Sequence, residues 1–138
     1  SDLLKMFWEC HDPTQKNRQG NDIGTQYRSA IYYKNEKNKK TILASKEQYQ
    51  KELNKNNLGL IETEIKKIET YFFAEHYHQQ YLASAGSRQY CSAAPTKVKL
   101  GVFTGSNYKL KDKIWENFNW EVDKCVLRSD NNPIKNNI

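Results

Sequence analysis

A single stretch, from Trp8 to Tyr33, constrains the fold more than any other part of the sequence, because it joins a long polar loop to a strand-like segment. In the loop, Asp12 and Pro13 favour a turn, and two later glycines permit positive φ angles. From Gln26 onward, alternating side chains predict a strand that ends near Tyr33. A polar loop that leads into a strand often places functional groups at a rigid edge. The same residue types occur in ordinary turns, so the pattern alone is equally compatible with a purely structural loop.

Hydrophobic periodicity on both sides of this stretch predicts an α+β fold. The expected elements are a helix from Ser1 to His11, the strand near Tyr33, a helix from Asn35 to Asn54, a strand from Leu60 to Ile68 and a short helix from Ala74 to Leu82. The apolar positions that should face the core are Leu3, Leu4, Phe7 and Trp8 in the first helix and Ile42, Tyr49 and Leu53 in the second. This order of helices and strands predicts a two-layer α+β sandwich. The second strand is expected at a sheet edge, because its charged side chains would point outward.

Length and periodicity predict one structural core followed by a tail. At 138 residues the chain is long enough for one domain with a modest core. The regular periodicity stops after Ala83, and scattered glycines then mark an extended segment. We therefore divide the chain into a core at residues 1–83 and an extended wrapping tail at residues 84–138, with one helical turn expected from Lys113 to Phe118.

The composition narrows the classes of partner and the cellular compartment. Lysine and arginine exceed aspartate and glutamate by 22 to 16, but the lysines are scattered and do not alternate with aromatic residues, so nucleic-acid binding is not expected. No apolar run is long enough for a membrane-spanning helix, and the first residues show no signal-peptide pattern. Three cysteines are too few for the disulfide framework of a secreted protein. A reducing intracellular compartment, the cytoplasm or the mitochondrion, is therefore expected.

Three motifs resemble segments of a known enzyme family. Residues 11–33 read H-D-P-T-Q-K-N-R-Q-G-N-D-I-G-T-Q-Y-R-S-A-I-Y-Y, residues 71–82 read Y-F-F-A-E-H-Y-H-Q-Q-Y-L, and residues 88–91 read R-Q-Y-C. The first two closely resemble signatures of the A-type peptide methionine sulfoxide reductases, and the third falls where that family has a recycling cysteine. The tail segment C-V-L-R-S-D-N-N-P-I, at residues 125–134, resembles the C terminus of a subset of the family. Together these segments are spread over nearly the whole chain, which makes the resemblance more specific than one short motif.

The resemblance implies a ferredoxin-like half-domain that reduces methionine sulfoxide in peptides or proteins by thiol chemistry. In the family, a cysteine thiolate attacks the sulfoxide sulfur, and the resulting sulfenic acid condenses with a recycling thiol. Thioredoxin then reduces the disulfide, so neither a bound cofactor nor a metal is expected. By position in the motifs, Asp22 and Tyr27 would bind the sulfoxide oxygen or a water in its place, His78 would support that pocket, and Cys91 would be the recycling thiol.

One part of the family pattern is absent from this sequence. The family nucleophile lies in a G-C-F-W motif, followed by a glutamic acid that protonates the sulfoxide oxygen, and neither segment occurs here. The residues from Met6 to Cys10 instead match a later F-W-E-N motif, with cysteine in place of asparagine. We therefore expect a missing or separate N-terminal half to supply the nucleophile, either as a second polypeptide or as a part removed by truncation or cleavage. The alternative is a catalytically inactive, reductase-like structural subunit of a larger assembly. In both cases a half-domain leaves an open sheet edge that a neighbour should cover.

Several other reactive side chains have two interpretations each. Cys10 is either a substitute nucleophile or an incidental thiol, and Cys91 is only a tail cysteine if no nucleophile reaches it. Cys125 either relays oxidation or is inert. Glu75 is either an acid in the reaction or a residue that suits a helix N terminus. The two histidines near Glu75 are two positions apart, on different faces of a helix, which argues against a shared metal site.

Overall fold

A computed structural model describes residues 1–81, 86 and 91–116 of the chain. Its regular elements are helix α1 (Asp2–Glu9), strands β1 (Arg18–Gln19), β2 (Asp22–Ile23) and β3 (Ala30–Tyr33), helix α2 (Glu36–Lys55), strand β4 (Glu64–Lys67) and helix α3 (Asp112–Glu116). Two 3₁₀ turns lie at Thr25–Tyr27 and His76–His78. This arrangement confirms the predicted α+β class, as a partial domain with few strands, and α3 lies where the tail was expected to form a helical turn. No helix in the described part is long and apolar enough to cross a membrane.

Helix α1 packs one face against the core, but not all the residues on that face are apolar. Trp8 is 0% exposed, as predicted, whereas Leu3 is 82% exposed, so its prediction as a core residue is wrong. Lys5 and Glu9 are buried instead, because their charges pair across one helical turn at 2.9 Å. The Ser1 hydroxyl does not cap the helix; it accepts a hydrogen bond from a backbone N–H of the tail. The start of α1 is thereby attached to the tail.

Helix α2 is the longest element, and its sequence explains both of its ends. The Asn35 side chain accepts a hydrogen bond from the N–H of Asn38 at 2.9 Å, which confirms the predicted N-cap. Just beyond the other end, Asn57 adopts a positive φ of 56°, a conformation that does not continue a helix. The side of α2 that faces the core carries the three predicted residues, Ile42, Tyr49 and Leu53.

Strands β3 and β4 form a two-stranded parallel sheet, in which Ile31 pairs with Ile65, and α2 is the crossover between them. Both strands have four residues and are shorter than predicted. The first begins late because Thr25–Tyr27 forms a 3₁₀ turn. The second begins late because the N–H of Glu62 donates to the carbonyl of Pro13 at 2.8 Å rather than to a strand. Within the described residues neither strand has a second neighbour, so the sheet has two open edges.

The tail contributes directly to the hydrophobic core. The buried core residues are Trp8, Tyr49, Leu53, Ile61, Val98, Leu100 and Phe103. The last three come from the extended segment after Cys91, so this part of the tail packs among the other elements. The Tyr49 hydroxyl anchors it through hydrogen bonds with Thr96 Oγ1 at 2.8 Å and the carbonyl of Val98 at 3.2 Å. The predicted boundary between residues 83 and 84 falls outside the described residues, so the division into core and tail remains a prediction.

The segment from Tyr71 to Tyr81 differs most from the prediction. A short helix from Ala74 to Leu82 is wrong for the described residues, which form only a 3₁₀ turn at His76–His78. Phe72 and Phe73 are 82% and 84% exposed, so these side chains do not pack on the core that the described residues form. A short helix that lacks tertiary packing is marginal in water, which explains the difference.

Candidate functional site

The polar loop between α1 and β3 is braced by its own side chains. Asp12 Oδ1 accepts hydrogen bonds from the N–H of Thr14 at 3.0 Å and from its hydroxyl at 2.6 Å. The Gln15 amide donates to Asp12 Oδ2 at 3.1 Å, and its oxygen accepts from the N–H of Gly20 at 2.8 Å. These bonds satisfy backbone groups locally and favour a single loop conformation. The loop is therefore preorganised by residues of this chain.

Gln19 attaches this loop to the tail. Its Oε1 accepts hydrogen bonds from the N–H of Asp12 at 3.1 Å and from the N–H of Ala94 at 2.9 Å. Its Nε2 donates to the carbonyl of Asp12 at 3.0 Å. One amide side chain thus holds the start of the loop and the tail together. The sequence gives no signal for this contact, because Gln19 and Ala94 are 75 positions apart.

Gly20 permits the closest approach between the loop and the tail. Its φ is +57°, and a Cβ at this position would lie 2.0 Å from the carbonyl oxygen of Ser92. A side chain here would therefore be strained by the backbone conformation and would clash with a backbone atom. The glycine in this part of the motif is required by the contact with the residue that follows Cys91.

Asp22 and Tyr27, the two predicted substrate-binding residues, belong to this braced region. Asp22 lies in β2, and its Oδ2 accepts a hydrogen bond from the Ser92 hydroxyl. Tyr27 ends the 3₁₀ turn and is 43% exposed. Cys91, the predicted recycling cysteine, precedes Ser92 directly and takes part in a disulfide. The structure thus brings the Cys91 segment to the carboxylate of Asp22, while the catalytic roles of these residues remain predictions.

His78 lies in an exposed part of the chain. Its Nδ1 is 2.7 Å from Glu75 Oε2, and its side chain is 57% exposed. Within the described residues no hydrogen bond joins His78 to Asp22 or Tyr27, so its role in supporting their pocket remains a prediction. The hydrogen bond from His78 lowers the pKa of Glu75, which does not favour Glu75 as a proton donor near neutral pH.

Cys10 is a free thiol, and its surroundings do not activate it as a nucleophile. It is half-buried, and its Sγ donates a weak hydrogen bond to the carbonyl of Phe7 at 3.4 Å. Burial raises the pKa of the Cys10 thiol, and the thiolate is the attacking species. The part of the chain that the structure describes contains no cluster of three or more histidine, cysteine or acidic side chains that could bind a metal ion.

A buried chain of hydrogen bonds starts at His11 and connects α1 to the region of the sheet. His11 Nδ1 lies 2.6 Å from the carbonyl of Phe7, and Nε2 lies 2.7 Å from the Ser29 hydroxyl. Because a carbonyl only accepts, Nδ1 carries the proton, and Nε2 of the neutral ring accepts from Ser29. The Ser29 oxygen is in turn 2.8 Å from Thr63 Oγ1. Burial lowers the pKa of His11 and keeps the ring neutral. The sequence shows His11 only as part of a motif, since its partners are distant along the chain.

Similar proteins identify the family. The family model for peptide methionine sulfoxide reductase matches residues 1–109. The mitochondrial peptide methionine sulfoxide reductase of Homo sapiens is 52% identical over 101 residues, which cover 73% of this chain and 43% of that protein. The peptide methionine sulfoxide reductase MsrA of Rippkaea orientalis is 53% identical over 97 residues, which cover 70% of this chain and 44% of that protein. The chain therefore spans less than half the length of these curated relatives.

Solved structures agree with the sequence relatives. The crystal structure of Mxr1 from Saccharomyces cerevisiae in reduced form has a TM-score of 0.56 and 32% identity, over 68% of this chain and 50% of that chain. Methionine sulfoxide reductase A of Corynebacterium diphtheriae has a TM-score of 0.50 and 36% identity, over 67% of this chain and 51% of that chain. Sequence motifs, family model and fold thus lead to one conclusion, that the chain belongs to the A-type peptide methionine sulfoxide reductase family.

Proposed function

We propose that this chain is the C-terminal part of a peptide-methionine (S)-S-oxide reductase and supplies its substrate-binding groups and its recycling thiol. The observation that carries the proposal is the hydrogen bond between the Asp22 carboxylate and Ser92, the residue that follows Cys91. Family membership supports the reaction class, reduction of methionine sulfoxide to methionine in peptides or proteins. Relatives from human and mouse are named as mitochondrial, which supports the mitochondrion of the two expected compartments.

The substrate would bind at the braced loop. A sulfoxide oxygen accepts hydrogen bonds but cannot donate them, so the Tyr27 hydroxyl is suited to bind it directly. An ionised Asp22 only accepts, so it would hold a water molecule that donates to the same oxygen. The exposure of Tyr27 leaves room for a peptide to approach. His78 would complete this pocket once the exposed segment around it is held in place.

Cys91 would act in the second half of the reaction. A thiolate first attacks the sulfoxide sulfur, and the protonated oxygen ends on the attacking sulfur as a sulfenic acid while methionine leaves. Once thioredoxin has reduced the disulfide that contains Cys91, its free thiol can attack the sulfenic sulfur, which forms a new disulfide and releases water. Thioredoxin donates two electrons and two protons, which restore both thiols, so the reaction uses no bound cofactor.

The attacking thiolate would come from the half of the domain that carries the G-C-F-W motif, which is not among these 138 residues. Cys10 is unsuited to this role because burial raises the pKa of its thiol. The segment after β4 exposes five aromatic side chains, those of Tyr71, Phe72, Phe73, Tyr77 and Tyr81. Together with the open sheet edges they form a surface of the kind that partners cover. The chain spans 41% to 46% of the curated relatives, so a half that carries the G-C-F-W motif is a suitable occupant.

A second candidate function is that of a catalytically inactive structural subunit of a larger assembly. The same open sheet edges and exposed aromatic residues favour it, because they would suit any partner with a complementary apolar surface. The two functions differ in the partner, which carries a nucleophilic cysteine only in the first.

Reconstitution tests the proposal. The purified chain is mixed with a polypeptide that carries the G-C-F-W half of a relative, and thioredoxin-dependent NADPH oxidation is followed with N-acetylmethionine sulfoxide. We expect no activity from either part alone and turnover from the mixture. Cys91→Ser should limit the mixture to one turnover. Tyr27→Phe should lower kcat/KM roughly a hundredfold, as for loss of one donor to a reacting oxygen. The control is Tyr32→Phe, which removes a hydroxyl of similar exposure that donates to Glu64, and it should leave kcat/KM unchanged.

Each outcome of this experiment separates the candidates. Turnover by the chain alone that Cys10→Ser abolishes would show that the nucleophile is present here and would overturn the proposal. A stable complex without turnover, formed with a natural partner that lacks a nucleophilic cysteine, would establish the structural subunit.

A further inference from the structure

We infer that Ser92 is a positioning residue for Cys91, an inference that rests on the proposed role of Cys91 as the recycling thiol. The Ser92 hydroxyl donates a hydrogen bond to Asp22 Oδ2, on the side chain proposed to bind the substrate. Ser92 follows Cys91 directly, so this bond fixes the backbone from which the Cys91 side chain projects. The Asp22 carboxylate would thus both bind the substrate and hold the backbone that positions the recycling thiol.

Two further contacts keep the same segment in register. The N–H of Ala94 donates to Gln19 Oε1 at 2.9 Å. Gly20 packs so closely on the Ser92 carbonyl that a Cβ would lie 2.0 Å from its oxygen. Both Gln19 and Gly20 belong to the braced loop, so the tail is attached to a preorganised surface. Of these attachments, the Ser92 hydroxyl is the side-chain contact nearest to Cys91 along the chain.

The chemistry of the bond predicts how it affects Cys91. A hydroxyl that donates to an ionised carboxylate makes a stronger bond than a pair of neutral groups. Loss of this hydrogen bond leaves the bond between Gln19 and Ala94 intact, but it allows the chain to open locally between Ala94 and Cys91. Opening exposes the sulfur of Cys91, which is half-buried in the folded chain, to a reductant in solution. Ser92 should therefore control how readily this disulfide is reduced.

The experiment measures how fast the disulfide that contains Cys91 is reduced in the folded full chain. The probe is tris(2-carboxyethyl)phosphine, which gives its electron pair to the disulfide and takes oxygen from water to become a phosphine oxide, leaving two thiols. The freed thiol of Cys91 is trapped with a maleimide and quantified by peptide mass spectrometry. We expect Ser92→Ala to accelerate reduction by about tenfold to a hundredfold, the range for loss of one hydrogen bond to a charged group.

Matched variants separate positioning from a general loss of structure. Ser92→Thr keeps the hydroxyl and should be reduced at the wild-type rate. Asp22→Ala should accelerate reduction as much as Ser92→Ala does, and the double variant should be no faster than either one. Ser106→Ala removes a tail hydroxyl that only accepts from the N–H of Phe103, and it should have no effect. The urea midpoint of Ser92→Ala should fall only as far as the loss of this one bond requires, because the bond stabilises the folded chain against both local opening and unfolding.

Three results would overturn the inference. They are a wild-type reduction rate for Ser92→Ala, equal acceleration in Ser92→Thr and Ser92→Ala, and an acceleration in the Ser92→Ala/Asp22→Ala double variant that equals the product of the two single accelerations. The rates are measured without sulfoxide and without a partner chain. A reconstitution that fails while the rates follow the expected pattern would therefore refute the proposed function but not the positioning. Active reconstitution with a wild-type reduction rate in Ser92→Ala would support the proposed function and refute the positioning role of Ser92.

Discussion

Glu9 provides the sharpest test of how this chain accommodates a buried charge. It is 2% exposed, and its Oε1 accepts hydrogen bonds from Lys5 Nζ at 2.9 Å and from the N–H of Leu100 at 2.8 Å. Its Oε2 lies 3.5 Å from Lys99 Nζ but accepts no hydrogen bond from the residues that the structure describes. The carboxylate thus joins α1 to the buried part of the tail, and removing its charge tests that connection.

We predict that Glu9→Gln lowers the free energy of unfolding by about 3 kcal/mol, because it leaves the Lys5 ammonium buried without its partner. The loss lies at the lower end of the usual range of about 3–5 kcal/mol for one partner of a buried pair. The glutamine oxygen can still accept from Leu100, and the Lys5 side chain, 11% exposed, can turn its ammonium toward water. Adding Lys5→Met removes the unpaired charge of Lys5. The double variant should therefore recover at least half of the lost free energy of unfolding.

Urea unfolding followed by tryptophan fluorescence measures these changes, provided that the dependence on urea is the same in all variants. The matched control is Glu47→Gln. Glu47 pairs with Lys51 at 2.8 Å across one turn of α2, but the two side chains are 71% and 60% exposed. This control should leave stability unchanged, because water screens an exposed pair. A loss in Glu9→Gln no larger than in the control, or a double variant no more stable than the single one, would refute the reasoning.

Two further predictions concern buried polar groups. Burial lowers the pKa of His11 below its ordinary value of 6.5, so the unfolded chain binds a proton more readily than the folded chain. The contribution of His11 to stability should be complete above pH 6.5 and should decline as pH falls toward the lowered pKa. Urea midpoints measured across this pH range should show the decline in the wild type and in the exposed control His76→Gln, but not in His11→Gln. Ser45→Ala should cost about 1–2 kcal/mol in the same unfolding measurement, because it leaves the buried N–H of Trp8 without an acceptor. An unchanged free energy in Ser45→Ala would contradict this account.

Helices α1 and α2 could be predicted because their signals are local. Asn35 caps α2 three residues from its partner, and a period of about 3.6 residues identifies the side that carries Ile42 and Leu53. The same period in α1 could not show that Leu3 faces solvent while Glu9 is buried. That outcome depends on the tail, whose backbone reaches Glu9 from 91 positions away.

The site could be predicted only in part, for a related reason. The motifs identify Asp22, Tyr27 and Cys91 by resemblance. The structure brings Asp22 close to the segment that contains Cys91. No pattern in the sequence predicts the hydrogen bond between Asp22 and Ser92, because it joins residues 70 positions apart. Contacts of this kind depend on where the tail crosses the loop, which follows from the packing of the whole core.

The two family motifs depend on different sources of order. The first is braced by Asp12, Gln15 and Gln19 and by the tail, so its conformation is fixed by contacts within this chain. The second, around His78, is exposed and lacks a surface to pack on among the described residues. Ordering an exposed segment costs conformational entropy, which is then subtracted from the free energy of binding a partner. Under the proposed function, the half that completes the pocket would contact the residues around His78 as well as the open sheet edge. The loop that holds Asp22 would require no such cost, because it is already ordered.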